Sequence, residues 1–239
     1  MEGMIPEQIK GSAAAKLELE KYFTPTDQFD CVPLLKRIIT EHRALTKDLL
    51  ETEISIIDRN FKQNKEKFDP NEFYECTYQL SAEITRESEP HFSAFFLKAF
   101  SEFGALSNEE RQVLFRKFIL TQVLWYEGVR TSRPRFQRPI DEAMKRMVYE
   151  ECRGPFARNL REMFAHLKLT DDETGIFAAL MMWMPDDCGV GLSEVGQMSM
   201  MKVRNKIFEE LHIYYSVIQR NPEYAGRLGE ILKLLSNVK

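Results

Sequence analysis

The stretch Phe96–Phe115, FLKAFSEFGALSNEERQVLF, decides the fold. It closes one amphipathic helix, turns tightly at Phe100–Ser107, and opens a second helix that is apolar almost all round. Lys98 sits near the end of the first helix. A lysine beside the last turn of a helix can meet carbonyl groups that carry partial negative charge. The two helix ends therefore imply a shallow groove with a cationic rim, of the kind that receives a short apolar helix from another chain.

The helix that opens at Ser107 predicts the architecture. Its apolar residues Val113, Leu114, Phe115, Phe118, Ile119, Leu120, Val123, Leu124, Trp125 and Val129 cover most of the helical circumference. A surface helix shows one apolar stripe, so this one is expected to lie between other helices. Ile176–Trp183 reads the same way. Two such helices flanked by amphipathic ones predict an all-α, three-layer sandwich of antiparallel helices rather than a simple bundle.

Helix starts are well marked elsewhere. Ser107–Glu110 and Thr170–Glu173 are capping boxes, and Asp69-Pro70 and Asn221-Pro222 place a cap before a proline. The pattern predicts helices over 6–22, 32–63, 70–100, 107–130, 139–151, 155–167, 171–184, 193–219 and 222–237. Pro90 is expected to kink or break the third of these. Thr131–Pro139, with two prolines and three arginines, predicts a turn or a small hairpin. Pro185–Leu192 reads as a polar loop. Residues 1–68 are expected to form N-terminal helices partly packed on a core spanning 69–239, in one domain overall.

Composition excludes several classes. The chain has 239 residues, 44% of them hydrophobic and 29% charged, which is ordinary for a soluble globular protein. Seventeen Phe and eleven Met point to a large, adaptable core. A net charge of −4 gives no sign of direct nucleic-acid binding. Cys31, Cys76, Cys152 and Cys188 are far apart and form no zinc module, so no metal is expected. Such cysteines suit a reducing compartment, and the apolar run Ile176–Met184 is too short to span a membrane. None of His42, His91, His166 or His212 lies in a metal-binding or catalytic pattern. The chain is not expected to be an enzyme or to carry a cofactor.

Phe96-x-Lys98, followed by Phe103, Leu106, Glu110-Arg111 and Leu114-Phe115, resembles the signature of nuclear hormone receptor ligand-binding domains, in their divergent nematode-type form. Leu169–Glu173 with the apolar helix after it resembles the family's eighth helix, and Asn221–Leu228 the start of its tenth. Ser101-Glu102 stand where the family has Pro-Gly, and Arg111 where it has Gln. The chain stops at Lys239, where the resemblance implies a further run into a terminal activation helix, and no zinc-finger DNA-binding module precedes the domain. The expectation is a domain lacking both: a fragment, an isoform, or a relative that works by dimerisation.

The resemblance implies site residues. Lys98, Ala94, Phe103, Gln112, Phe115 and Arg116 would form the coregulator groove. Arg130 would anchor a polar group of a small lipophilic ligand, with Glu89 as partner and Leu120, Val123 and Leu124 as walls. Glu127 stands where the family usually has an apolar wall residue. Arg227, Leu228, Ile231 and Leu235 would face a homo- or heterodimer partner, or Arg227 would pair internally with Glu173. The implied role is a nuclear, transcription-regulating receptor domain. The residues leave two rivals open: a ligand-free helical adaptor or dimerisation module, and an all-helical enzyme.

Overall fold

The computed structural model describes residues 29–63, 77–132, 154–184 and 191–238; the side chains of 61–63, 78, 120, 123, 127, 130–132 and 154–157 lie outside that description. The expected helices at 6–22 and 139–151, the Asp69 cap and most of the 185–192 loop also lie outside the described residues, as does the turn or hairpin expected at 131–139 beyond Ser132; Thr131 and Ser132 themselves continue the helix before it. The described elements are all helical: α1 (Pro33–Gln63), α2 (Tyr78–Ala99), α3 (Ser101–Ala105), α4 (Asn108–Ser132), α5 (Gly154–Leu167), α6 (Asp171–Trp183), α7 (Glu194–Ile213), a π-helical turn (Tyr214–Ile218) and α8 (Tyr224–Val238).

Side chains fix the helix starts as expected. Thr170 Oγ1 accepts from the Glu173 N–H at 3.1 Å, while the Thr170 N–H donates to Glu173 Oε2 at 2.9 Å. Ser107 and Glu110 make the same reciprocal pair at the start of α4. Each box satisfies two donors that a helix end leaves open. Asn221 Oδ1 accepts from the Glu223 N–H at 2.9 Å ahead of α8.

Three layers follow. α1 and α2 pack together on one side, α4, α6 and α7 lie in the middle, and α5 and α8 close the other side. Every residue of α6 from Glu173 to Trp183 is buried. In α4, Leu114, Phe118, Leu124, Trp125 and Val129 are buried. Trp125 stands edge-on to Phe164 of α5 at 5.4 Å and donates its indole N–H to the Thr174 carbonyl at 3.3 Å. One side chain thus ties the middle layer to α5. At Gly175 an added Cβ would sit 2.6 Å from His42 Cγ, so α1 and α6 cross at a distance only glycine permits.

Three local expectations change. Pro90 does not break its helix: α2 runs unbroken from Tyr78 to Ala99. Pro90 and Arg86, whose carbonyl loses its partner, are both exposed, on the side of the helix where solvent can reach the missing bond. The turn after α2 holds the short helix α3, and the helix expected at 193–219 ends in a π-helical turn. That turn widens the helix by one residue and buries Tyr214 and Tyr215 side by side.

Candidate coregulator groove and receptor architecture

The site is built where α2 ends and α4 begins. A row of aromatic rings holds these ends together. Phe96 meets Phe118 edge-on at 4.8 Å, and Phe92 meets Phe118 at 5.5 Å. Such pairs add about 0.5–1.5 kcal/mol each beyond the area they bury. Phe100 and Phe103 of the turn pack against Trp183 at the end of α6, at 5.2 and 6.4 Å. The backbone under the site is therefore anchored on the middle layer.

On this base, Lys98 is exposed in the last turn of α2, with Leu97 exposed beside it. One turn back, Ala94 is half-buried. On α4, Phe115 is half-buried and its ring lies 6.4 Å from Phe118, while Gln112 and Arg116 are exposed. Phe103 is 2% exposed and belongs to the core beneath the surface rather than to a groove floor. Its ring lies tilted against Phe96 at 5.8 Å because the α3 turn points it inward.

The proposed ligand anchors separate differently. Glu89 is exposed on the outer face of α2, so it does not stand as a pocket wall there; its neighbour Ser88 is the buried residue of that turn, bonded back to the Ile84 carbonyl at 2.7 Å. Leu124 is buried in the central core. Arg130, Leu120, Val123 and Glu127 lie on α4, and their side chains are outside the described residues. An open cleft of about 600 Å³ lies between α1, α3 and α7. Pro33 and Leu34 form part of it, but Arg37, Glu102, Lys202 and Glu210 also line it, so it is not a lipophilic chamber.

The dimer residues also separate. Ile231 and Leu235 are core side chains of α8, at 0% and 2% exposure, and cannot meet a partner. Leu228 is half-buried against that core. Arg227 turns inward: Nε and Nη2 donate to the two oxygens of Glu173 at 2.6 and 2.7 Å, and Nη1 donates to the Leu167 carbonyl at 3.1 Å. The Tyr215 hydroxyl adds a bond to Glu173 Oε1 at 2.7 Å. The helical spacing of the leucines in α8 is thus a core stripe, and the outward positions are Glu230, Lys233 and Ser236.

The charges follow from this geometry. Burial pushes the Glu173 carboxyl up, but bonds from Arg227, the Thr170 N–H and Tyr215 outweigh it and hold the group below its usual value. Glu110 is lowered from the ordinary 4.5 to about 2, chiefly by the Ser193 hydroxyl and then by the Ser107 and Ser193 N–H groups. Sequence reading found the Ser107–Glu110 box but not the second partner. Glu110 Oε1 accepts from Ser193 Oγ at 2.7 Å and from the Ser193 N–H at 3.0 Å, so one carboxylate serves the starts of both α4 and α7. No local signal in the sequence pairs residues 83 positions apart.

The family model for the ligand-binding domain of nuclear hormone receptor matches residues 91–239, more than half of the chain. The chain belongs to the nuclear hormone receptor ligand-binding domain family. No curated protein matches it. The match begins within α2, at His91, and takes in the site, α4, α6 and α8. The all-helical, layered fold is the one that the signature implied. This family is generally non-enzymatic and typically nuclear, and its domains generally bind lipophilic ligands and coregulators and form dimers. Among the described residues no helix is long and apolar enough to cross a membrane.

Proposed function

We propose that this chain is the ligand-binding domain of a nuclear receptor-like transcription regulator that docks short apolar helices of coregulators across the end of α2 and the start of α4. The supporting observation is that Lys98 stands exposed at the end of a helix whose neighbour presents a half-buried Phe115. The groove consists of Ala94, Leu97 and Phe115, with Lys98 at one end and Gln112 and Arg116 along the edge. A bound peptide helix ends over Lys98, whose ammonium meets the peptide's free carbonyls. The domain works in the nucleus, and a small lipophilic ligand binds near Arg130 on α4.

A fluorescently labelled leucine-rich helical peptide tests this reading by anisotropy. Lys98→Ala should weaken binding by about three- to tenfold, the equivalent of one charge at a helix C-terminus. Lys98→Glu should weaken it further, and Phe115→Ala should reduce it below detection. Equal affinity for Lys98→Glu and the parent chain overturns the docking site. Native mass spectrometry separates the receptor from a ligand-free adaptor: a co-purifying fatty acid or sterol supports the receptor.

A further inference from the structure

We infer that the helix docked in this groove is acidic along the flank that faces α4, and that Arg116 selects it by pairing with one carboxylate. The inference rests on the docking proposed above and adds a partner class to it. The class is leucine-rich helices with an Asp or Glu beside the apolar stripe, as against neutral or basic ones.

The position of Arg116 carries the argument. Phe115, one residue before it, is half-buried, and its ring lies 6.4 Å from Phe118. Phe118 packs in turn on both Phe92 and Phe96 of α2. This part of α4 therefore lies level with Ala94, one turn back from Lys98. Each residue turns a helix by about 100°. Arg116 is thus carried from the Phe115 side, away from α2, to the outer edge of the groove, and there it is exposed. A helix lying on Phe115 with its last carbonyls at Lys98 runs one flank past Arg116.

The protein itself leaves this charge unused. Arg116 makes no ion pair or hydrogen bond among the described residues. The residues three and four places away on α4 are Gln112, Val113, Ile119 and Leu120, so its own helix offers no carboxylate at pairing distance. Across the groove α2 presents Ala94 and Leu97. Glu110 is held by Ser107 and Ser193 at the start of α4, and Glu102 takes the Ser101 hydroxyl. Glu109 stands in the first turn of α4, where the helix N-terminus offsets its charge. The apolar strip is thus bordered by a cation on each helix, although the chain as a whole carries −4. Lys98 meets the partial charge at the end of the docked helix, whereas Arg116 meets a side chain on its flank. A rim charge of this kind selects among partners more than it tightens binding.

Fluorescence anisotropy with one leucine-rich helical peptide tests this, with a Glu walked through every non-leucine position of an otherwise Gln-substituted helix. Affinity should peak on one flank, about two- to fivefold above the all-Gln peptide, the size of one exposed ion pair. A Lys at the same positions should lower affinity by a similar factor. Arg116→Glu should invert the order, so that the Lys peptide binds tightest, and Arg116→Lys should keep it. Raising the salt from about 0.05 to about 0.5 M should shrink the difference. Lys98→Ala should weaken all the peptides together and leave their order unchanged. If no peptide binds the parent chain, the docking reading fails and this inference fails with it. If peptides bind but Glu acts equally at every position, or Arg116→Glu leaves the order as it was, the docking stands and the inference alone is overturned.

Discussion

Glu173 is the residue on which most of the third layer depends. It caps α6 through Thr170, receives both prongs of the Arg227 guanidinium, and accepts the Tyr215 hydroxyl. Its side chain is 3% exposed and that of Arg227 28%. Breaking a buried pair from one side leaves a charge without its partner, which costs about 3–5 kcal/mol. Glu173→Gln should therefore lower stability by about 3 kcal/mol, read as a drop in the urea midpoint. Arg227→Met should cost less, because Glu173 keeps the Thr170 and Tyr215 bonds. The pair was legible as one of two roles for Arg227. Sequence alone could not choose, since an arginine that faces a partner and one that faces a buried glutamate have the same helical position. The same ambiguity misplaced Ile231 and Leu235. Spacing identifies an apolar stripe but not what lies opposite it.

At the scale of elements, sequence signals worked best where a helix start needs side chains close in the chain. The boxes at Ser107–Glu110 and Thr170–Glu173 formed as read, and the all-round apolar pattern of α4 and α6 put Trp125 and Trp183 at 0% exposure. They worked least where solvent decides the outcome. Pro90 was read as a break because it removes one bond and crowds the preceding turn. The break does not occur because that turn faces water and Phe92, Phe95 and Phe96 hold the helix to the core just beyond it. The cost should still be present as lost stability. Pro90→Ala restores an N–H for the Arg86 carbonyl and should raise stability by about 1–2 kcal/mol, less than the full proline penalty because the unfolded chain also gains freedom. Thermal melting checks this. An unchanged or lower Tm would mean that the proline is fitted to a bend in α2. A related test lies at the α4–α5 crossing, where a Cβ on Gly128 would come 2.3 Å from the Phe164 ring. Gly128→Ala should cost about 1–3 kcal/mol by overpacking.

For the whole molecule, the question is what keeps α4, which carries half of the groove, in a fixed relation to α7. Glu110 joins the two helix starts through Ser107 and Ser193. Gly196 makes room for this, because a Cβ there would lie 2.3 Å from Glu110 Oε1. The bonds all favour the ionised carboxylate, which is why its pKa falls to about 2. A group whose pKa is lower in the folded chain contributes stability above its unfolded value and loses it as the pH falls through the folded one. The contribution should thus be complete above about pH 4.5 and vanish between there and about pH 2. Glu110 is partly open to solvent, and screening reduces the energy to about 1 kcal/mol. Glu110→Gln should be less stable than the parent chain by about that amount at pH 6, with the gap closing as the pH nears 2. Urea titrations of both chains at several pH values measure it. A gap that stays constant with pH would mean that Ser193 reads the shape of the side chain and not its charge, and α4 and α7 would then be held in place by packing alone.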